Sequence, residues 1–158
     1  MQPFLAWGVY QHWLQNSIRR FTNLQNFEDL SVLVVEDEAI IAMLIEDMLF
    51  EIGCKRVERA ANVATGLEFL AHRVPDFAIL DINLDGDRSY PVADALHARR
   101  IPFVFLSGYG IRGVERPYRM FTTLQKPFQT RDLESVLRHA FPAMTPGLRR
   151  SDVDWRME

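Results

Sequence analysis

Phe77-Ala78-Ile79-Leu80-Asp81 is a run of four apolar residues that ends on a carboxylate. A short unbroken apolar run bounded by polar or turn residues reads as a strand buried on both faces, the signature of a parallel sheet. The same arrangement recurs along the chain. Val32-Leu33-Val34-Val35 delivers Glu36 and Asp37, Phe103-Val104-Phe105-Leu106 delivers Ser107, and the segment from Phe121 to Gln125 delivers Lys126, followed by Pro127. In open parallel sheets, ligands and chemistry gather beyond the carboxyl ends of the strands. Four such ends bearing carboxylates, a hydroxyl and an ammonium therefore describe one site.

The intervening segments read as helices. Ile40, Ile41, Leu44, Ile45, Met48, Leu49 and Ile52 recur at helical spacing and stop near Gly53. A weak strand around Val57 follows, within residues 55–60. Asn62 is a suitable N-cap for a helix carrying Val63, Leu67, Phe69 and Leu70, and Pro75 closes that segment. Leu84 to Ser89 reads as a turn-rich loop, and Pro91 suits the first turn of a short helix with Val92, Ala95 and Leu96. Leu133, Val136, Leu137 and Ala140 give a last helix, stopped by Pro142.

This alternation predicts a doubly wound α/β domain over about residues 29–141, with a five-stranded parallel sheet covered by helices on both faces. Gly108, Gly110, Gly113 and Pro117 crowd the stretch where a fourth helix would stand. In a helix interior, Gly costs about 1 kcal/mol and Pro about 3 kcal/mol. A loop or a single turn is expected there, with a mobile face beside Ser107.

Residues 1–28 and 142–158 lie outside the alternation. Tyr10, Trp13, Leu14, Ile18, Phe21 and Leu24 trace a helical stripe. Three readings of that extension stand side by side: an amphipathic helix packed on the domain or a partner, a poorly ordered leader, and residues upstream of the true start. The tail balances Arg149, Arg150 and Arg156 against Asp152, Asp154 and Glu158 and reads as a frayed or loosely docked end.

Composition narrows the function classes. With 48% hydrophobic and 25% charged residues the chain is an ordinary globular protein, and a net charge of −3 argues against an electrostatic grip on nucleic acid. No stretch approaches a membrane span, and Arg19-Arg20 follow rather than precede the apolar part of the N-terminus, unlike a signal peptide. A cytoplasmic location is the expectation. Cys54 is alone and reads as a small apolar residue after a helix. His12, His72, His97 and His139 show no metal-ligand spacing, and no phosphate-binding glycine motif occurs.

Glu36, Asp37 and Asp81 brought together would repel one another, and a divalent cation removes that repulsion. Hard oxygen donors suit Mg²⁺, which retains several waters and accepts phosphate oxygens. Asp81 can then act as a nucleophile toward phosphorus, since carboxylates form aspartyl-phosphates. Lys126 supplies a second cation and the Ser107 hydroxyl a hydrogen bond to a phosphoryl oxygen.

With these residues in view, the chain resembles the receiver domain of two-component response regulators over roughly residues 30–141. The matching stretches are VLVVEDE at 32–38, DINLDG at 81–86, FLSGYG at 105–110 and QKPF at 125–128. The resemblance implies a flavodoxin-like sheet of strand order 2-1-3-4-5 with a degenerate fourth helix. It implies Asp81 as phosphoacceptor, with Mg²⁺ held by Glu36, Asp37, Asp81 and the backbone carbonyl of Asn83. Ser107 and Lys126 take the switch hydroxyl and lysine positions. The expected donor is a histidine kinase or histidine phosphotransfer protein; the output is binding to another protein, or service as a phosphate sink.

The SGYG stretch is similar to single-domain receivers common in alphaproteobacteria. Ser107 stands where Thr is commoner. Thr123 stands where many receivers carry an aromatic that swings inward, and Tyr109 is the candidate replacement. Two other functions share some of these features: a Mg²⁺-dependent phosphohydrolase using an aspartyl-phosphate, and an adaptor that keeps the fold without phosphorylation. The hydrolase would usually want its nucleophile on the first strand with a second Asp two residues on, where this chain has Asn83.

Overall fold

The computed structural model describes residues 26–144. The readings of the 10–24 stripe and of the charged tail fall outside the described residues. Strand β1, Ser31–Val35, leads to helix α1, Ala39–Ile52, and to β2, Arg56–Ala60. Helix α2, Val63–His72, and β3, Phe77–Asp81, follow. A small hairpin of β4, Asn83–Leu84, and β5, Asp87–Arg88, precedes α3, Tyr90–Ala98. The chain continues through β6, Phe103–Ser107, and β7, Thr123–Gln125, to α4, Thr130–Ala140.

The main sheet is parallel with order β2-β1-β3-β6-β7, which is the predicted 2-1-3-4-5 order counted without the hairpin. Its three inner strands are almost wholly buried, and alternate side chains feed two cores. Val32, Val34, Ile79, Val104 and Leu106 pack with Ile45 and Leu49 of α1 and Leu133 and Leu137 of α4. Leu33, Val35, Leu80 and Phe105 pack with Leu70 of α2 and with Val92 and Leu96 of α3. Phe27 and Met144, at the two ends of the described chain, are buried against the α1–α4 side. Cys54 is buried there as well, packed as a small apolar residue just after α1, and burial pushes its thiol up to about 11.

The helix limits follow their caps. Gly53 ends α1 with φ 117°, and its N–H donates to the carbonyls of Leu49 and Phe50. Asn62 caps α2 through the Thr65 N–H at 2.8 Å, and Thr65 returns the contact. Helix α4 begins at Thr130, three residues before the first periodic apolar position, because Gln129 and Asp132 form a reciprocal box.

Three details differ from the sequence reading. The expected loop at 84–89 contains a hairpin, turned by Asp85 at φ 53° and Gly86 at φ 92°; two successive positive φ values are what a tight two-residue turn needs. The last strand covers only Thr123–Gln125, because Phe121 leaves the sheet line to pack in an aromatic cluster with Phe103, Phe105 and His97.

The third difference lies between Ser107 and β7, where two 3₁₀ turns occur, at Gly110–Gly113 and Arg116–Tyr118. The degenerate fourth helix is therefore present as expected, but the segment is tethered. Val114 is buried, and the Glu115 N–H donates to the Tyr90 hydroxyl at 2.9 Å. Tyr118 stacks on Tyr90 with ring centroids 4.0 Å apart. The Tyr118 hydroxyl donates to Asp94; desolvation, reinforced by that hydrogen bond, raises its pKa.

Candidate functional site

The acidic cluster is built by strand register. Val35 pairs with Leu80 in the sheet, so the residues that follow each strand emerge side by side at its carboxyl edge. Carboxylate oxygens of Glu36, Asp37 and Asp81 lie within 4.8 Å of one another. Glu36 and Asp81 are buried, 2% and 8% exposed, while Asp37 is half-buried. Glu36 Oε1 accepts from the Glu38 N–H at 3.1 Å, which fixes its carboxylate at the start of α1.

Lys126 is the cation of this cluster. Its Nζ donates to Asp81 Oδ2 at 2.9 Å and to Glu36 Oε2 at 3.3 Å. The β6–β7 pairing positions it: the Lys126 N–H donates to the Ser107 carbonyl at 2.9 Å. The peptide bond to Pro127 is cis.

One ammonium against three carboxylates leaves the group short of positive charge. Burial pushes the Glu36 carboxyl up to about 7; the Glu38 N–H and Lys126 oppose that rise and the nearby Asp81 charge adds to it. Lys126 shifts the other way from what burial alone would cause. Desolvation would lower its pKa, but the hydrogen bond and charge of Asp81, reinforced by Glu36, hold it above the ordinary lysine value. The donor set fits a hard divalent cation: oxygen ligands only, mutually close, with excess negative charge.

Asn83 closes the acidic edge. Its N–H donates to Asp81 Oδ1 at 3.3 Å, and its side-chain oxygen accepts from Gly86 at 3.1 Å, so the hairpin turn holds residue 83 beside the cluster.

Ser107 ends β6 with 5% exposure. Its Oγ accepts from the Tyr109 N–H at 3.2 Å. The Gly110–Gly113 turn folds back over it so tightly that a Cβ at Gly113 would collide with Ser107 Oγ. Tyr109 is 83% exposed. Thr123 is half-buried, its hydroxyl near the Phe121 carbonyl at 3.5 Å.

Glu36, Asp37, Asp81, Asn83 and Lys126 are thus brought together, with Ser107 tied to Lys126 through the backbone. Tyr109 is joined to Ser107 by its N–H and not by its ring. Sequence reasoning missed Gly113 and Tyr90. Gly113 registers in the sequence only as a helix breaker, and Tyr90 only as a residue near a helix start; their partners lie 6 and 25 positions further along or back in the chain.

A parallel 2-1-3-4-5 sheet with an acidic cluster and a lysine at its carboxyl edge defines a class, and the chain belongs to it. Residues 32–138 match the response regulator receiver domain family. Response regulator Rre1 of Synechocystis is 29% identical over 121 residues, covering 71% of this chain and 52% of that protein. The chain thus spans about half the length of such relatives. The solution structure of SdrG from Sphingomonas melonis Fr1 is 40% identical with a TM-score of 0.63, covering 70% of this chain and 95% of that one. The BeF3-activated conformation of SdrG from Pseudomonas melonis Fr1 gives 41% identity and a TM-score of 0.61, over 70% and 93% of the two chains. Among the described residues no helix is long and apolar enough to cross a membrane.

Proposed function

We propose that this protein is a phosphorylation-dependent signalling receiver whose phosphoacceptor is Asp81. The observation that carries the reading is the convergence of Asp81 with Glu36, Asp37 and Lys126 at one sheet edge, inside a receiver fold. An oxygen of Asp81 attacks phosphorus and the bond between phosphorus and the donor nitrogen breaks. A histidine of a kinase or phosphotransfer protein is the donor, and its imidazole leaves with the displaced electron pair.

Glu36, Asp37, Asp81 and the Asn83 carbonyl would hold Mg²⁺, which supplies charge neutralisation for the phosphoryl oxygens. Lys126, already on an Asp81 oxygen, stabilises the transferred charge without a large movement. Ser107 exchanges the Tyr109 N–H for a phosphoryl oxygen, this time as donor. Since Gly113 rests on the same Oγ, movement of Ser107 is felt directly by the 110–118 segment. The output is then a change in the protein-binding surface formed by Tyr109 and that segment, or a drain of phosphoryl groups from a shared kinase.

Beryllofluoride tests this reading without turnover. With Mg²⁺ present it should bind, and amide resonances of residues 81, 107, 109 and 113 should shift together. Asp81→Asn should abolish both effects. Binding that survives Asp81→Asn, or shifts that stop short of residue 113, would count against it, as would sustained hydrolysis of phosphoesters.

A further inference from the structure

An opening lies at the other end of the sheet. Phe77 and Phe103 begin the five-residue strands β3 and β6, which end on Asp81 and Ser107. Both line a cleft of about 1040 Å³, roughly 13 Å from the acidic edge, whose apolar walls include Ile101, Phe121 and Val136. The shortness of β7 opens it. Pairing with β6 starts only at Phe105, whose N–H donates to the Thr122 carbonyl at 3.0 Å, and the chain turns off before that at Phe121. Backbone groups face the same neighbour at every second residue of a strand, so the N–H and carbonyl of Phe103 lie beyond that ladder, on the cleft side. Phe103 is 8% exposed, and a buried donor and acceptor so placed call for a partner.

The ionisable lining has one sign. His97 near the end of α3, Arg100 just after it and His139 near the end of α4 stand at the cleft, and among the described lining residues no carboxylate does. That is not the balance of the chain, which has 21 acidic residues against 18 Lys and Arg. The His97 ring meets Phe121 edge-on at 5.1 Å, and Phe103 lies 4.8 Å from the same ring, so the three form an aromatic corner. Another planar ring extends such a corner in edge-to-face or offset contact.

Arg100 is an independent sign of use. Helices α1 and α3 end in the same left-handed motif: the Cys54 N–H donates to the Leu49 carbonyl at 2.9 Å, and the Ile101 N–H to the Leu96 carbonyl at 3.0 Å. The left-handed residue is Gly53 in one and Arg100, at φ 57°, in the other. Glycine adopts that conformation without strain and arginine does not. A position that folding alone would give to glycine carries a guanidinium at the cleft. We propose that the cleft binds a small aromatic carboxylate. Its ring extends the aromatic corner, its carboxylate pairs with Arg100, and a polar group on the ring reaches the Phe103 backbone.

The probe is 4-hydroxyphenylacetate, titrated into the full-length chain without Mg²⁺ and followed by amide resonances. The amides of residues 97–103, 121–122 and 135–140 should shift together. The uncharged analogue 2-(4-hydroxyphenyl)ethanol should bind about tenfold more weakly, the loss of one charge-assisted hydrogen bond. Arg100→Gly should bring the acid down to the affinity of the alcohol, while its urea midpoint stays unchanged or rises. Ser135→Trp, at an exposed position of the cleft wall, should exclude both compounds.

Absence of shifts up to millimolar probe, equal binding of acid and alcohol, or undiminished affinity in Arg100→Gly would overturn the proposal. So would a lower urea midpoint in Arg100→Gly, which would make Arg100 a residue kept for folding. Shifts confined to the neighbourhood of Asp81 would place the anion at the acidic edge and equally rule out the cleft. The readout needs neither Mg²⁺ nor a phosphoryl group, so it fails or succeeds independently of the role of Asp81.

Discussion

Mg²⁺ binding should depend on pH through one residue, Glu36. Its carboxyl is raised from 4.5 to about 7, chiefly by burial, so in the metal-free protein it competes for a proton across the neutral range. With that value, about nine in ten molecules hold the proton at pH 6 and about one in ten at pH 8. Mg²⁺ needs the ionised form and must displace the proton at the lower pH, which weakens its apparent affinity about tenfold at pH 6 relative to pH 8.

The sign for stability follows from the same shift. The folded-state pKa lies above the unfolded one, so the contribution of Glu36 to metal-free stability is fully present below about 4.5 and is lost as pH rises through about 7. Mg²⁺ offsets that loss, and the rise in Tm on adding it should therefore grow from pH 6 to pH 8. Calorimetric titration of Mg²⁺ at pH 6, 7 and 8, at constant ionic strength, gives the affinities. Glu36→Gln should bind more weakly but with a nearly flat profile. A flat profile in the unsubstituted protein, or a slope that persists in Glu36→Gln, would refute the reasoning.

Two further substitutions probe the segment over Ser107. Gly113→Ala places a methyl group against Ser107 Oγ and should destabilise the protein by about 1–3 kcal/mol in urea unfolding, the usual cost of overpacking. An unchanged midpoint would mean the turn yields freely. Tyr90→Phe removes the acceptor of the Glu115 N–H and should cost about 1 kcal/mol, with faster hydrogen exchange at Glu115 than at the amides of β6. Equal exchange in both proteins would show that the stacked Tyr118 ring alone holds the segment.

The sheet was legible in the sequence because its inner strands are buried on both faces, which forces unbroken apolar runs such as Phe77–Leu80. The polar residue ending each run then fell at the carboxyl edge by topology alone, which is why Glu36, Asp37, Asp81 and Lys126 could be assembled before any distance was known. Helix ends at Gly53 and Asn62 were legible for the same local reason: each carries its own cap.

The hairpin at 83–88 was not, since Asp87 and Arg88 are exposed and give no apolar alternation; only Asp85-Gly86 hinted at it. Nor was the order of the 110–118 segment. Its glycines forbid a long helix, and its anchors are non-local: a tyrosine hydroxyl from α3, a stacked ring, and a glycine pressed on Ser107. Local propensity announces what a segment is not, while the tertiary contacts decide where it is held.

Phosphoryl labelling tests the central claim most directly. The protein is incubated with Mg²⁺ and a small phosphodonor such as acetyl phosphate, and the modified peptide is identified by mass spectrometry. The account predicts one phosphoryl group per chain, on Asp81, removed by hydroxylamine as an acyl phosphate is, and absent without Mg²⁺ or in Asp81→Asn. No labelling of the unsubstituted protein, or labelling that persists in Asp81→Asn, would contradict it.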